Sequence, residues 1–211
     1  KDYSDAGAHV LTANTFGAND YKLKKSGMST ERIISQAIQL TKEFQGCYSA
    51  LDIGPVGVLL NNDTEYHFDY FYNLFKKQVV AGENSGCDLI LIETMTDIYE
   101  AKAAIIAAKE NTKLPIICSM TLQRNGRTLT GSDVLTIVSI LESLGIDALG
   151  LNCSFGPFEM LPHIEEMARY SSLNILVQPN AGLPKLINGV THFDLSPDEF
   201  TKQSLVIKNL G

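Results

Sequence analysis

The chain has 211 residues, of which 45% are hydrophobic and 19% charged, and its formal net charge is -7. That composition is globular and carries enough apolar mass for a sizeable core. The acidic balance, without any basic block, argues against nucleic acid or an anionic membrane surface as the main partner, and no apolar run reaches the ~18 residues needed to span a bilayer.

The four cysteines, Cys47, Cys87, Cys118 and Cys153, lie far apart and show no C-x-x-C spacing. In a chain of this length they do not read as a disulfide framework, so a reducing cytoplasm is the expected location. Each also fits the role of a small buried hydrophobe.

In chain order the pattern is a repeated strand-then-helix unit. Residues 1–7 read as the last turn of a helix. Gly7, Gly86 and Gly145 each stand just before an apolar run, as a helix-closing glycine before a buried parallel strand. The first strand is expected over 9–14. A helix over 30–44 follows, with Ile33, Ala37, Leu40 and Phe44 on one face. The second strand, 48–53, ends in Asp52-Ile53-Gly54-Pro55. Residues 61–64 carry no clear signal before an aromatic, amphipathic helix over 66–80. The third strand, 88–93, ends in Glu93. Asp97 is placed to cap the next helix, which runs to 108, with Glu100 as its capping-box partner. A fourth strand over 115–121, a helix over 134–144, a fifth strand over 148–152, a helix over 158–170 and a sixth strand over 174–178 continue the alternation. Pro179-Asn180-Ala181-Gly182-Leu183-Pro184 then turns the chain. The segment 186–194 shows neither period and reads as a lid-like excursion. Ser196-Pro197-Asp198-Glu199 opens the last helix with a cap, a proline at N1 and a glutamate at N3.

Alternating strands and helices imply an α/β fold with a parallel sheet. An open doubly wound sheet and a closed (β/α)8 TIM barrel both fit. The strand ends favour the barrel. Asn14, Asp52, Glu93, Asn152 with Cys153, and Gln178 with Asn180 place polar or reactive groups at the ends of nearly all strands. A barrel gathers all such ends at one mouth, whereas an open sheet uses only its switch point. No G-x-G-x-x-G or Walker motif is present. A full barrel needs eight strands and ~250 residues, so the expectation is a single barrel domain over 1–211 whose first and eighth strands are absent from this sequence.

Thr12-Ala13-Asn14-Thr15-Phe16-Gly17-Ala18-Asn19, Asp52-Ile53-Gly54-Pro55, Ile92-Glu93-Thr94, Asn152-Cys153 with Gly156-Pro157, and Pro179-Asn180-Ala181-Gly182 occur in one order along nearly the whole chain. That series resembles the zinc-dependent homocysteine S-methyltransferase family, and within it the homocysteine-binding module of cobalamin-dependent methionine synthases. The resemblance implies methyl transfer to a zinc-bound homocysteine thiolate, giving methionine. It implies a methylcobalamin and methyltetrahydrofolate donor system, with S-methylmethionine or betaine as alternative donors. Cys153 takes the position of a zinc ligand. The family's other two ligands form a Cys-Cys pair that this sequence does not contain, so the chain alone is expected to hold zinc weakly or not at all.

The resemblance gives Glu93 the amino group of homocysteine, by a charge-assisted hydrogen bond. Asn14 and Asn152 can orient the substrate or support a metal ligand, or satisfy loop backbone groups. Asp52 can orient substrate, although holding its own loop is the plainer reading. Two other classes compete. A Schiff-base lyase needs a lysine at a strand end, and none is there. A non-catalytic barrel used for binding is favoured only by the missing metal ligands.

Overall fold

The computed structural model describes residues 1–182 and 185–210. Leu183, Pro184 and Gly211, which belong to the expected turn and chain end, lie outside the described residues. The elements run α1 (Asp2–Asp5), β1 (Val10–Thr12), α2 (Asp20–Leu23), α3 (Thr30–Lys42), β2 (Tyr48–Ile53), α4 (Phe68–Asn84), β3 (Leu89–Met95), α5 (Ile98–Asn111), β4 (Ile116–Met120), α6 (Val134–Ser143), β5 (Ala148–Cys153), α7 (Pro157–Tyr170), β6 (Asn174–Pro179), β7 (Lys185–Ile187), β8 (Val190–His192) and α8 (Pro197–Lys208). All six strands expected from the sequence form, each within two residues of its expected ends.

The six pair in chain order, β1-β2-β3-β4-β5-β6, every pair parallel. The sheet curls as the wall of a (β/α) barrel: Gln178 of β6 lines the same cavity, of about 580 Å³, as Val10 and Thr12 of β1. The β1 and β6 edges have no strand partner among the described residues.

Alternation along each strand divides the side chains between two faces. Leu51, Ile53, Ile90, Ile92, Cys118, Met120, Leu149 and Leu151 point outward into the main core with the helices. Helix α5 reaches close to its neighbours because Ala101, Ala103, Ala104, Ala107 and Ala108 are all buried. The inner face carries a smaller cluster of Ala50, Leu89 and Leu91, with Ile117 and Leu176 against it. Continuing in phase toward the C-terminal strand ends, the inner row becomes Asp52, Glu93, Ser119, Asn152 and Gln178. A polar mouth above an apolar floor therefore follows from strand phase alone.

Two local expectations are corrected. Residues 185–192 are not an irregular excursion but an antiparallel hairpin, with Ile187 paired to Val190. Its turn is Asn188-Gly189, both at positive φ, the strongest short-range hairpin signal there is. Glu100 does not close a capping box with Asp97. The Asp97 side chain accepts from the Tyr99 N–H, while Glu100 turns away to accept from the Val56 N–H at 2.6 Å. The loop after β2 has a buried backbone donor to satisfy, and that need outweighs the cap. The box at Ser196 and Glu199 does form.

Curling has a steric requirement at Gly150 on the inner face of β5. A Cβ there would lie 1.9 Å from the Leu176 carbonyl oxygen of β6. That oxygen belongs to the ladder and has nowhere to move. Gly150→Ala should destabilise the chain by about 3 kcal/mol or more, measured by urea denaturation. A loss below about 0.5 kcal/mol would contradict this packing.

Candidate functional site

The site is built around the side chain of Asn152, which is 3% exposed at the end of β5. Its Oδ1 accepts from the Thr94 N–H at 2.9 Å and from Ser119 Oγ at 2.9 Å. Its Nδ2 donates to Thr94 Oγ1 at 2.7 Å and to Cys153 Sγ at 3.4 Å. Thr121 Oγ1 donates to the Asn152 carbonyl at 3.2 Å. One amide thus joins β3, β4 and β5 at their C-terminal ends, and its donors and acceptor are all engaged.

The backbone around this amide is unusual. Thr94, Cys153 and Ser154 have φ of 60°, 57° and 58°. Left-handed geometry costs L-residues on the order of 1–2 kcal/mol each, and a β-branched threonine there is a true outlier. The cause at Thr94 is a bulge. β3 pairs Ile92 with Cys118 but next Met95 with Met120, so β3 spends one residue more than β4. The extra residue breaks the ladder and frees the Thr94 N–H for Asn152. At Ser154 the hydroxyl accepts from the Leu122 N–H at 2.8 Å, tying the β5 end to the loop after β4. Strain of this kind persists only where surrounding bonds over-determine it, and it clusters at functional sites.

Cys153 lies half-buried at this corner, with Thr94 Oγ1 at 3.9 Å from its sulfur in addition to the Asn152 amide. The other thiols are elsewhere. Burial pushes Cys118 up to about 12 and Cys87 up to about 11, as inert core thiols. Cys47 donates to the Ala8 carbonyl at the opposite end of the sheet.

Asp52 and Glu93 stand on adjacent strands of the inner face. Asp52 is 5% exposed, and burial, then the Glu93 charge, push its carboxyl up to about 8. Burial raises Glu93 as well. The loop after β2 is held from beneath and from the side. Thr15 Oγ1 donates to the Asp52 carbonyl at 2.8 Å and accepts from the Asp52 N–H at 3.0 Å. Lys22 Nζ donates to the Pro55 carbonyl at 2.7 Å while lying over the Phe16 ring. Glu100, which anchors Val56, is pushed up to about 7 by burial; the Val56 N–H and Lys22 oppose that rise and Asp97 adds to it.

Of the residues singled out from sequence, Asn152, Cys153, Glu93 and Asp52 all reach this mouth. Asn14 lies two residues past the end of β1, exposed, and lines the edge cavity with Thr12 and Gln178 rather than joining the Asn152 network. Thr94, Ser119 and Thr15 were not foreseen as parts of the site. Thr94 had a readable signal: Ile90 and Ile92 point outward, and the next buried apolar residue, Met95, is three positions on instead of two. That phase slip is the bulge.

A zinc centre with an open substrate position takes three protein ligands. Among the described residues no three His, Cys, Asp or Glu side chains lie together to hold a metal. Cys153 is one thiol donor with suitable outer partners, and the set does not fit a zinc ion held by this chain alone.

Curled parallel strands with strained, polar C-terminal ends define the wall of a (β/α) barrel. The family model described as homocysteine S-methyltransferase matches residues 1–210, and the chain belongs to that family. It is 28% identical over 219 residues to a methionine synthase of Mycobacterium tuberculosis, covering 96% of this chain and 18% of that protein. It is equally 28% identical over 217 residues to a methionine synthase of Mycobacterium leprae, covering 95% of this chain. The chain therefore spans 18% of the length of either relative. In fold it is similar to the metallated homocysteine methyltransferase MmuM of Escherichia coli, with a TM-score of 0.76, 20% identity, and coverage of 86% of this chain and 70% of that one. A type I 3-dehydroquinate dehydratase of Clostridium difficile shares the fold more distantly, with a TM-score of 0.55 and 13% identity over 97% of this chain and 84% of that one.

Two outcomes are expected. Asn152→Ala strands the Thr94 N–H and unties three strands, and should cost about 2–4 kcal/mol in denaturant unfolding. The second concerns pH. Asp52 has a folded pKa near 8 against an ordinary value of 3.8, so between these values the folded state binds the extra proton. Stability then falls as pH rises through that window. Asp52→Asn should raise the melting temperature, and by more at pH 8 than at pH 5. A uniform gain at both would contradict the buried, unpaired carboxylate.

Proposed function

We propose that this chain forms the homocysteine-binding barrel of a methionine synthase, as one barrel unit over residues 1–211, and that the enzyme transfers a methyl group to the sulfur of homocysteine to give methionine. The observation that carries the reading is the strained corner where Asn152 holds Cys153 against Thr94, the residue after Glu93, within a chain matched to the family over residues 1–210. Glu93, half-buried at the mouth, receives the substrate amino group. Asn152 acts through its neighbours, since its amide is fully engaged; it fixes Thr94 and donates one N–H to the Cys153 sulfur, as the outer partner of a ligating residue does. Asn14 at the rim is available to the substrate from the open edge.

Zinc belongs to this proposal as the metal of the intact protein, with Cys153 as one ligand. The donors among the described residues do not complete a centre. The donor is read as methylcobalamin delivered by another module, on the motif resemblance to cobalamin-dependent methionine synthases; the names of the two mycobacterial relatives support the methionine synthase reading itself. The net charge of -7 supports small-molecule and protein partners over nucleic acid. No helix among the described residues is long and apolar enough to cross a membrane, and the four free thiols support a cytoplasmic setting.

The test is methionine formation from L-homocysteine and methylcobalamin by the protein at its natural full length. Cys153→Ser should abolish transfer while the circular dichroism spectrum stays unchanged. Glu93→Gln should raise the KM for homocysteine by about 10–100-fold, the loss of one hydrogen bond between charged groups. Undiminished transfer by the Cys153→Ser protein would sink the reading. Metal analysis of the 211-residue polypeptide alone should find far less than one equivalent of zinc after dialysis.

A further inference from the structure

Asp52 is a buried carboxylate that the fold does not use. Its loop is held, but by backbone groups: Thr15 takes both the N–H and the carbonyl of residue 52. Farther along, Lys22 and Glu100 hold Pro55 and Val56. The carboxylate itself does none of this. Its Oδ1 is buried without a hydrogen-bond partner among the described residues. An unpaired buried carboxylate costs free energy, so an arrangement that retains one at a strand end points to a ligand.

The surroundings specify that ligand's charge. Asp52 pairs in register with Leu91, and Glu93 follows Leu91 by two residues on the same face. The two carboxylates thus share the inner mouth on adjacent strands. Among the described residues no lysine, arginine or histidine forms an ion pair with either one. Lys22, the cation of α2 that touches this loop, is committed to the Pro55 carbonyl and the Phe16 face. Burial holds both carboxyls toward the neutral form, and the Glu93 charge adds to the rise at Asp52. Among the described residues no third His, Cys, Asp or Glu joins the pair to hold a metal ion. A primary ammonium, with three donors and one charge, suits two carboxylates on one face of adjacent strands.

The geometry points to Asp52 as a specificity-determining residue that, with Glu93, receives the α-ammonium of the amino-acid thiol, so that the site selects amino-bearing thiols over their deaminated counterparts. The inference rests on the reading of homocysteine as substrate. In it Asp52 contacts substrate directly and its loop is set beforehand by Thr15.

The experiment compares two probes by calorimetry at pH 7.5, on the protein at its natural full length. L-Homocysteine carries the ammonium; 4-mercaptobutanoate is the same thiol acid without it. The wild type should bind homocysteine the more tightly. Asp52→Asn should reduce that preference about 10–100-fold, by weakening homocysteine while leaving 4-mercaptobutanoate unchanged. Asp52→Ser, smaller and neutral, gives the same comparison if the asparagine protein fails to fold, with circular dichroism as the check. A preference equal to wild type in the folded variant overturns the proposal. So does an equal loss for both probes, which marks a general effect on shape. A wild type that binds neither thiol instead overturns the homocysteine reading, and this inference with it.

Discussion

The mouth of this barrel wall depends on the hydrogen bonding of one side-chain amide. Asn152 holds a bulge on β3, a hydroxyl on β4 and the thiol that follows it on β5. Remove the amide and the left-handed Thr94 has no reason to stay where it is, because the bulge has already taken its N–H out of the ladder. The placement of Cys153 is therefore a property of three strands, not of the residue itself. This is how a strained corner survives in a fold whose total stability is only a few times larger than the strain.

Beneath that corner the sheet separates its two tasks by strand phase. Outward residues build a continuous core with α3 to α7, where Ile90, Ile92, Met120 and Leu151 are essentially buried. In β3 and β4 the inward residues begin apolar and become polar at the C-terminal ends. Stability is concentrated on one face and chemistry on the other, so the mouth tolerates buried carboxylates and left-handed residues without unpacking the helices. Gly150 shows how tight the inner curve is, since even a methyl group would collide with the neighbouring strand.

The second constraint is electrostatic. Asp52, Glu93 and Glu100 are three acids in or under the same mouth, all held toward their neutral forms by burial. Glu100 has a structural reason, the Val56 N–H. Asp52 and Glu93 have no protein cation to answer them among the described residues. An acidic mouth over an apolar floor, beside a thiol, is what the proposed zwitterionic, sulfur-bearing substrate would meet.

Much of this was legible in the amino-acid order. The apolar runs, each preceded by turn residues and spaced by helical periods, located all six barrel strands. Residues at the strand ends, Asp52, Glu93, Asn152 and Cys153, were equally visible, since a polar residue that stops such a run must sit at the mouth. The Asn188-Gly189 turn was visible too, although flanking residues of mixed polarity hid the hairpin's period. What the sequence could not contain was which of these groups meet. The engagement of Asn152 with Thr94 depends on a register slip between β3 and β4, and the diversion of Glu100 to Val56 depends on a loop 44 residues away in the chain. Asp52 looked like a loop-holder because it precedes Gly-Pro; only the tertiary structure shows Thr15 doing that work through the backbone and leaving the carboxylate unpaired. Local order determines which residues reach the mouth, because side-chain alternation is a property of the strand. Partnership at the mouth is decided by distances between strands, which exist only once the sheet has curled.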